Sequence, residues 1–259
     1  MTLAKTARQE RILEQFRANP SIRLGSLADR FAVTKETIRR DIDDLASRGL
    51  LARTYGGAVA SPMNAEPGLS ERELVNPDGR RRMARVAVGL LAGCAIVMVD
   101  AGSTAAHVCE ALAAAVPRGG RVRLTAITNS LRHAALLGAN PAIRVMLAPG
   151  DFDPRENAVF GQHTVDFLGR FRADAAVTSA GGVADGAASD ANSEAVAVKR
   201  AMMAQASASL LIADRGKFGV VQFERIAGLA EFTHLVTDAA DPPGFEAGRA
   251  GPALHVAAD

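Results

Sequence analysis

Residues 33–45 read VTKETIRRDIDDL, and this stretch decides how the first sixty residues fold. At 100° per residue, a helix puts its apolar side chains on one face and most of its charges on the other. The apolar stripe consists of Ile38, Ile42 and Leu45. Thr34 is a good N-cap residue, so the pattern predicts an amphipathic helix that begins there and ends near Ser47.

Two other helical patterns precede this helix, near residues 4–18 and 24–31, and only a tight turn fits between the second pattern and the third. After the third helix, residues 50–59 read LLARTYGGAV, which is typical of two short strands about a turn. This order predicts a winged helix-turn-helix domain over residues 1–60. Amphipathicity alone leaves a second interpretation open, a three-helix module for packing or dimerisation.

The charges of residues 1–60 favour a polyanionic partner. These residues carry 11 Lys and Arg against 7 Asp and Glu, a net charge of +4, whereas the rest of the chain carries −2. In the third helix the bases lie in the first half and the acids in the second, so we expect the first half to enter the major groove of DNA. The residues predicted to contact DNA are Thr34, Lys35, Glu36, Thr37, Arg39 and Arg40 in the helix and Arg53 and Tyr55 in the wing.

Residues 61–78 contain three prolines and no clear period, and we interpret them as a linker. The helix expected near residues 77–91 carries a basic cluster, which we interpret as a solvated face rather than a DNA contact. The cluster consists of Arg80, Arg81, Arg82 and Arg85.

The body of the chain, residues 79–259, alternates between apolar strand-like runs and helical stretches. The predicted strands lie near residues 95–99, 123–128, 143–148, 175–179, 210–213 and 235–237, with one more edge strand near 253–257. The predicted helices lie near residues 104–116, 130–137, 163–171, 193–205 and 223–229. This alternation predicts an α/β domain, a mostly parallel sheet with helices on both faces.

Polar residues or glycines follow the predicted strands, and the carboxyl ends of parallel strands share one edge of a sheet. We therefore expect a small polar ligand at that edge. Residues 100–104 read DAGST, where a glycine, two hydroxyls and a helix N-terminus favour an anion such as phosphate. Ordinary N-capping by Ser103 or Thr104 explains the same residues without a ligand.

Both parts of the chain resemble the DeoR family of bacterial transcriptional regulators. In the first part the resemblance is carried by VTKETIRRDI at residues 33–42 and by GLLAR and GGA within residues 49–58, with Tyr55 where the family usually has histidine. In the second part it is carried by DAGST at 100–104, TNS at 128–130, Glu194, KRAM at 199–202, AD at 213–214, KFG at 217–219 and TD at 237–238.

The resemblance implies a sensor domain that is similar in fold to ribose-5-phosphate isomerase and that binds phosphorylated sugar-type metabolites. Gly102, Ser103 and Thr104 would hold the phosphate. The other residues that it implies for the effector are Asp100, Asn129, Asp214 and Lys217, with Glu194 and Lys199 nearby. Ser130 and Gly181 join this set because they follow strands at the same edge.

The composition excludes several classes of protein. Two cysteines, Cys94 and Cys109, exclude a disulfide scaffold and a four-cysteine metal site and fit a reducing cytoplasm. The five histidines are scattered, and we interpret them as packing or surface residues. The longest uncharged stretch, residues 86–99, is too short to span a membrane. We expect a cytoplasmic protein with no cofactor, no metal and no membrane partner.

The resulting expectation is a homo-oligomeric repressor, a dimer or tetramer, of a carbohydrate-catabolism operon. Its partners would be operator DNA and a phosphorylated sugar or related effector, because helix-turn-helix heads bind paired half-sites. Two other classes stay open. One is a sugar-phosphate isomerase-like enzyme with an attached head, although no catalytic constellation has a diagnostic spacing. The other is a DNA-bound structural protein with an inert body.

Overall fold

The computed structural model describes residues 5–18, 24–47, 51–54, 57–60, 69–119, 121–243, 245 and 251–257. The chain divides into two compact units, residues 1–67 and residues 68–259. Of the helices in the described ranges, none has the length and apolar character that crossing a membrane requires.

The first unit is helical with a terminal hairpin. Its elements are α1 (Lys5–Ala18), α2 (Leu24–Phe31), α3 (Lys35–Ser47), β1 (Leu51–Thr54) and β2 (Gly57–Ala60). The two strands pair antiparallel, with Leu51 opposite Ala60 and Thr54 opposite Gly57. The predicted order of three helices and a wing hairpin is confirmed.

The core of the first unit is the stripe predicted for the third helix. Ile38, Ile42 and Leu45 are buried together with Ile12 of α1 and Leu27 of α2. The backbone N–H of Thr37 donates to Oγ1 of Thr34 at 3.2 Å, so Thr34 does cap α3.

Between α2 and α3 the chain turns through Ala32, which has a φ of +51°. The Val33 N–H donates to the Ala28 carbonyl at 3.1 Å, and the Ala32 N–H donates to the Asp29 carbonyl at 3.3 Å. These two bonds form a Schellman motif, whose left-handed residue is usually glycine because a Cβ atom there crowds the backbone. Alanine at this position therefore stores strain.

The second unit is built around a parallel sheet. Its helices are α4 (Leu69–Glu73), α5 (Pro77–Leu90), α6 (Ser103–Ala115), α7 (Leu131–Gly138), α8 (Gln162–Leu168) and α9 (Ser193–Gln205). Its strands are β3 (Ile96–Val99), β4 (Leu124–Thr128), β5 (Ile143–Leu147), β6 (Asp151–Asp153), β7 (Ala158–Phe160), β8 (Ala173–Ser179), β9 (Gly182–Ala184), β10 (Ala187–Asp190), β11 (Ala206–Ile212), β12 (Glu224–Gly228), β13 (His234–Thr237) and β14 (Ala253–Val256).

Among the described residues, seven of these strands form the main sheet in the order β14-β13-β11-β8-β3-β4-β5, and every neighbouring pair is parallel. The predicted parallel sheet, its strands and the C-terminal edge strand are confirmed. The order reverses at the centre: β3 lies between β4 and β8, so the crevice beside β3 is the switch point where ligands of such sheets bind.

Alternate residues of the central strands face opposite layers. Val97 and Val99 of β3 belong to the core formed with α5, α6 and α7. Met98, the residue between them, belongs to the core formed with α8 and α9. The sheet is therefore covered by helices on both faces, as predicted.

The prediction of a helix near residues 223–229 is wrong. Residues 224–228 form β12, which pairs antiparallel with β10 in a small sheet that also contains β9. Its sequence, ERIAG, has no strict alternation, and Ile226 and Ala227 are both buried. Tertiary pairing overrides local preference here, which periodicity along one segment does not reveal.

The interpretation of residues 61–78 as a linker needs one correction. Residues 69–73 form α4, whose Leu69 is buried and donates its N–H to the Arg155 carbonyl at 3.4 Å. The helix expected near residues 77–91 is confirmed as α5, which begins at Pro77 with Asn76 as its N-cap.

We predict that Ala32→Gly stabilises the first unit by about 0.5–1 kcal/mol, since relief of left-handed strain exceeds the greater chain entropy of glycine. Chemical denaturation of the full chain, followed by circular dichroism, measures the change. Ala7→Gly in α1 is the matched control and should destabilise the same unit by about 1 kcal/mol. A less stable Ala32→Gly variant would contradict the strain assigned to this turn.

Candidate functional site

The first candidate site is the outer face of α3. Thr34, Lys35, Glu36, Arg39 and Arg40 are exposed, and Thr37 is half-buried. The predicted contact residues of the helix therefore share one accessible surface. Glu36 partly offsets the positive charge of this surface, because its carboxylate lies 3.4 Å from Nη1 of Arg39 and 3.6 Å from Nε of Arg40.

The arginines of this surface are available to a partner. The side chain of Arg40 is 79% exposed and that of Arg39 is 62% exposed. Exposed ion pairs of this kind contribute little to stability, so phosphate or base contacts can replace them at low cost. The wing is less informative: Arg53 lies on β1, but its side chain and the whole of Tyr55 are outside the described residues.

The acidic half of α3 contacts α1. Asp41 is buried and accepts hydrogen bonds from Nε of Arg8 at 2.6 Å and from Nη2 of Arg8 at 3.2 Å. Asp44 pairs with Lys5. The buried Asp41 therefore fixes α3 to α1, while the bases at the other end of the helix stay free of the core.

The second candidate site is the carboxyl edge of the parallel sheet, next to β3. The chain leaves β3 through Asp100, turns at Gly102 and enters α6 at Ser103. A Cβ atom on Gly102 would lie 2.4 Å from Oγ of Ser179, so a larger residue here would displace the hydroxyl that Ser179 donates to Asp100. The first turn of α6 carries N–H groups with no partner inside the helix. Its N-cap residue, Gly102, has no side chain that could cap them.

A buried charge network lies under this turn. Nζ of Lys199 is 3.1 Å from Asp100 and 2.9 Å from Asp190, and all three residues are buried. Asp100 also accepts hydrogen bonds from the N–H and the hydroxyl of Ser179, both at 3.1 Å. The network joins β3, β8, β10 and α9 at one point.

The charges in this network are unequal, since one ammonium faces two carboxylates. Burial raises the pKa of Asp100 despite the nearby Lys199. Burial also disfavours ionisation of Asp190, but Lys199 holds the pKa of that carboxyl below its ordinary value. Lys199 itself is desolvated, yet the two carboxylates raise its pKa. Of the two acids, Asp100 is therefore the one that more readily holds a proton.

A second buried ion pair lies beside α6. Nε and Nη2 of Arg80 donate to Oδ2 of Asp214 at 3.2 and 2.9 Å, and Nη1 of Arg80 donates to the Ser103 hydroxyl at 3.1 Å. The interpretation of Arg80 as part of a solvated face is wrong, because only 2% of its side chain is exposed. Arg81 and Arg85 of the same cluster are exposed.

The loop after β4 lies at the same edge of the sheet. Oδ1 of Asn129 accepts the Ala101 N–H at 3.0 Å, which ties this loop to the one after β3. Ser130 caps α7 by accepting the His133 N–H at 3.3 Å. The His133 side chain is fully buried.

Most of the predicted effector residues are thus brought together, but not all of them. Asp100 pairs with Lys199, and Ser103 and Asp214 share Arg80 as a partner. Asn129 bonds to the Ala101 N–H, next to Asp100. Other members lie nearer the periphery. Glu194 is exposed in the first turn of α9, Lys217 is half-buried in a 3-10 turn, and Gly181 donates its N–H to the Ser189 carbonyl at 2.9 Å.

Three participants were missed by sequence reasoning: Arg80, Ser179 and Asp190. For Arg80 a signal existed, since it is three and four residues before Met83 and Ala84 and therefore lies on the buried face of α5. No such signal existed for Asp190, because nothing in the neighbouring sequence distinguishes it from an exposed turn residue. In the described ranges, no three His, Cys, Asp or Glu side chains are grouped as metal ligands.

Comparison with known families decides what this two-part chain is. A family model for the DeoR-like helix-turn-helix domain matches residues 8–62, and one for the DeoR C terminal sensor domain matches residues 75–239. The chain belongs to the DeoR family. The resemblance inferred from the TIRRD and DAGST motifs is confirmed.

Individual members of the DeoR family match over nearly their whole length. The chain is 29% identical over 245 residues to the HTH-type transcriptional repressor CsqR of Escherichia coli K12, covering 94% of this chain and 92% of that protein. It is 27% identical over 241 residues to the glycerol-3-phosphate regulon repressor of the same strain, with 93% of each chain covered. It is 33% identical over 234 residues to the regulator GlpR of Haloferax volcanii, with 89% of each covered.

Among solved structures, ribose 5-phosphate isomerase A from Methanocaldococcus jannaschii superposes with a TM-score of 0.40 and 17% identity, covering 55% of this chain and 54% of the isomerase.

We predict that His133 makes the stability of the second unit depend on pH. Burial, with a further contribution from Arg132, lowers the pKa of His133 to about 4, below the value of about 6.5 in an unfolded chain. The unfolded chain therefore binds more protons between these values, so stability is fully present above about pH 6.5 and falls towards pH 4. The loss from pH 7 to pH 5 is about 2 kcal/mol.

Urea denaturation at the two pH values measures this loss. His133→Gln should remove it, and the exposed His163→Gln, as matched control, should retain the wild-type difference. An unchanged pH dependence in His133→Gln would rule out His133 as its source.

Proposed function

We propose that this protein is a DNA-binding transcriptional repressor of a carbohydrate-catabolism operon, and that a phosphorylated sugar or polyol changes its affinity for DNA. The observation that carries the proposal is the pairing of two sites in one DeoR-family chain. One is an exposed basic helix surface, and the other is an anion-compatible crevice at the switch point of a parallel sheet.

The DNA side of the proposal is supported by the division of α3 into two halves. Lys35, Arg39 and Arg40 lie exposed in its first half, whereas Asp41 and Asp44 are engaged with α1. In helix-turn-helix proteins the N-terminal residues of the recognition helix contact base edges. Arginine binds guanine in bidentate fashion, and Thr37 is placed to contact a base or a phosphate. Such heads bind paired half-sites, so we expect a homo-oligomer in the cytoplasm.

The effector side is supported by the chemistry around α6. Ser103 and Thr104 offer hydroxyls at a helix N-terminus, where backbone N–H groups and the helix dipole favour an anion. Asp100, Asn129 and Asp214 offer oxygens that suit the hydroxyls of a sugar or polyol. Among the relatives, the Escherichia coli regulator named for a glycerol-3-phosphate regulon is consistent with a phosphorylated polyol.

We assign binding rather than catalysis to this crevice. Asp100 and Lys199 are acid–base residue types, but they are buried against each other and Asp190, which suits a fixed scaffold. Turnover of pentose phosphates by the purified protein would contradict this assignment.

We predict that Arg40→Ala weakens binding to a duplex selected from a randomised library by about 1–3 kcal/mol and relaxes base preference. Fluorescence anisotropy on the selected duplex and on single-base variants measures both effects. Arg11→Ala, an exposed arginine of α1, removes the same charge and is the matched control. It should weaken all duplexes about equally. Unchanged affinity in Arg40→Ala would exclude α3 as the reading helix.

We predict that the double variant Ser103→Ala and Thr104→Val loses its response to phosphorylated sugars and polyols but still binds DNA. A thermal-shift panel of these compounds identifies responders on the wild type, and anisotropy then measures their effect on DNA affinity. The matched control replaces Ser207 with Ala and Thr125 with Val, both distant from the carboxyl edge, and should respond as the wild type does. A response that survives in the first variant would place the anion elsewhere.

A further inference from the structure

Arg80 is the largest of the fully buried side chains, and its guanidinium stays charged in the interior. Asp214 compensates that charge on one side only: Nε and Nη2 both donate to its Oδ2 atom. The other oxygen of Asp214 accepts the Gly216 N–H at 3.0 Å.

Nη1, the nitrogen on the opposite side, donates to two neutral oxygens. One is the Ser103 hydroxyl, at 3.1 Å, and the other is the backbone carbonyl of Arg72. Ser103 is the first residue of α6, and Arg72 lies in α4. A single nitrogen therefore connects the proposed anion site to α4.

α4 is a short element that depends on such contacts. Beyond the bond to Arg80, it is held by the buried Leu69, by an ion pair from Arg72 to Glu156 and by another from Glu73 to Arg132. Leu74 and Val75, which follow it, are largely exposed. Along the chain α4 is the first described element after β2, so the polypeptide from the first unit enters the second unit here.

We infer that Arg80 binds the anionic group of the effector and that this binding draws Nη1 away from the Arg72 carbonyl, which loosens α4. The inference rests on the proposed function, since it requires an anion at the N-terminus of α6. It adds a ligand residue that the motifs did not indicate, and it names the element through which the crevice acts on the rest of the chain.

Relative bond strength determines the direction of this exchange. A phosphate oxygen carries negative charge, so it accepts a stronger hydrogen bond from a guanidinium than a neutral carbonyl does. An anion at Ser103 lies within reach of Nη1, because Nη1 already contacts the Ser103 hydroxyl. The two acceptors of Nη1, the Ser103 hydroxyl and the Arg72 carbonyl, are both neutral and therefore yield to the anion, whereas Asp214 keeps its bonds to Nε and Nη2.

Lys199 is a poorer ligand for the same anion. Its ammonium already faces two carboxylates, Asp100 and Asp190, so its surroundings carry excess negative charge when both are ionised. Arg80 faces one carboxylate and two neutral oxygens. An added phosphate is therefore repelled less at Arg80, and the planar guanidinium can bridge Asp214 and the phosphate simultaneously.

Hydrogen–deuterium exchange and calorimetric titration of the full chain test the inference, with inorganic phosphate as the probe and chloride of equal ionic strength as the reference. In the wild type, phosphate should bind and should speed exchange in peptides covering residues 69–75. Arg80→Lys should bind phosphate at least about tenfold more weakly, and these peptides should exchange fast even in chloride. Arg81→Lys, the exposed neighbour on α5, is the matched control and should behave as the wild type does.

The outcomes separate the two proposals. If the wild type binds no phosphate, the anion site of the proposed function is wrong and the inference fails with it. If phosphate binds but exchange at residues 69–75 does not rise, only the link to α4 is wrong. Phosphate affinity in Arg80→Lys equal to that of Arg81→Lys would exclude Arg80 as the ligand. Should Arg80→Lys not fold, the comparison of phosphate with chloride on the wild type still decides the link.

Discussion

The second unit depends on one ammonium group that serves two carboxylates. Nζ of Lys199 lies within 3.1 Å of Asp100 and 2.9 Å of Asp190, in a region from which water is excluded. Removing one partner from a buried ion pair costs far more than the pair contributes, because an uncompensated charge remains behind. The loops after β3 and β10 and the helix α9 are therefore fixed to one another by electrostatics as well as by packing. The crevice has a rigid floor for the same reason.

The buried network of Lys199, Asp100 and Asp190 and the proposed ligand site at the N-terminus of α6 cannot vary independently. Asp100 ends the central strand, and two residues later the chain forms the N-terminus of α6. Ser179, which is itself bonded to Asp100, approaches Gly102 so closely that a side chain at position 102 would displace it. A substitution that alters effector preference near α6 therefore acts on the buried network too, and a loss of response after such a change needs a separate measurement of folding.

Much of this arrangement could be predicted from the sequence because its signals are local. The α3 stripe, the Thr34 cap and the DAGST turn each lie within a few residues, and periodicity is sufficient to recognise them. β12 could not be predicted, since its strand conformation comes from pairing with β10, and neither could the partnership of Asp190 with Lys199. Arg80 is intermediate: its spacing from Met83 indicated the buried face of α5, but its partner Asp214 lies 134 residues further along the chain.

The attachment of α3 to α1 has a consequence for how a family of such proteins diversifies. Arg8, Gln9 and Lys5 all bond to the acidic half of α3, so residues of α1, outside the exposed surface of α3, set the tilt of that helix. A substitution of Lys5, Arg8 or Gln9 would change this tilt and move the exposed side chains of α3 together. Under the proposed function, residues of α1 can therefore alter operator choice by changing the tilt of α3, without themselves contacting DNA.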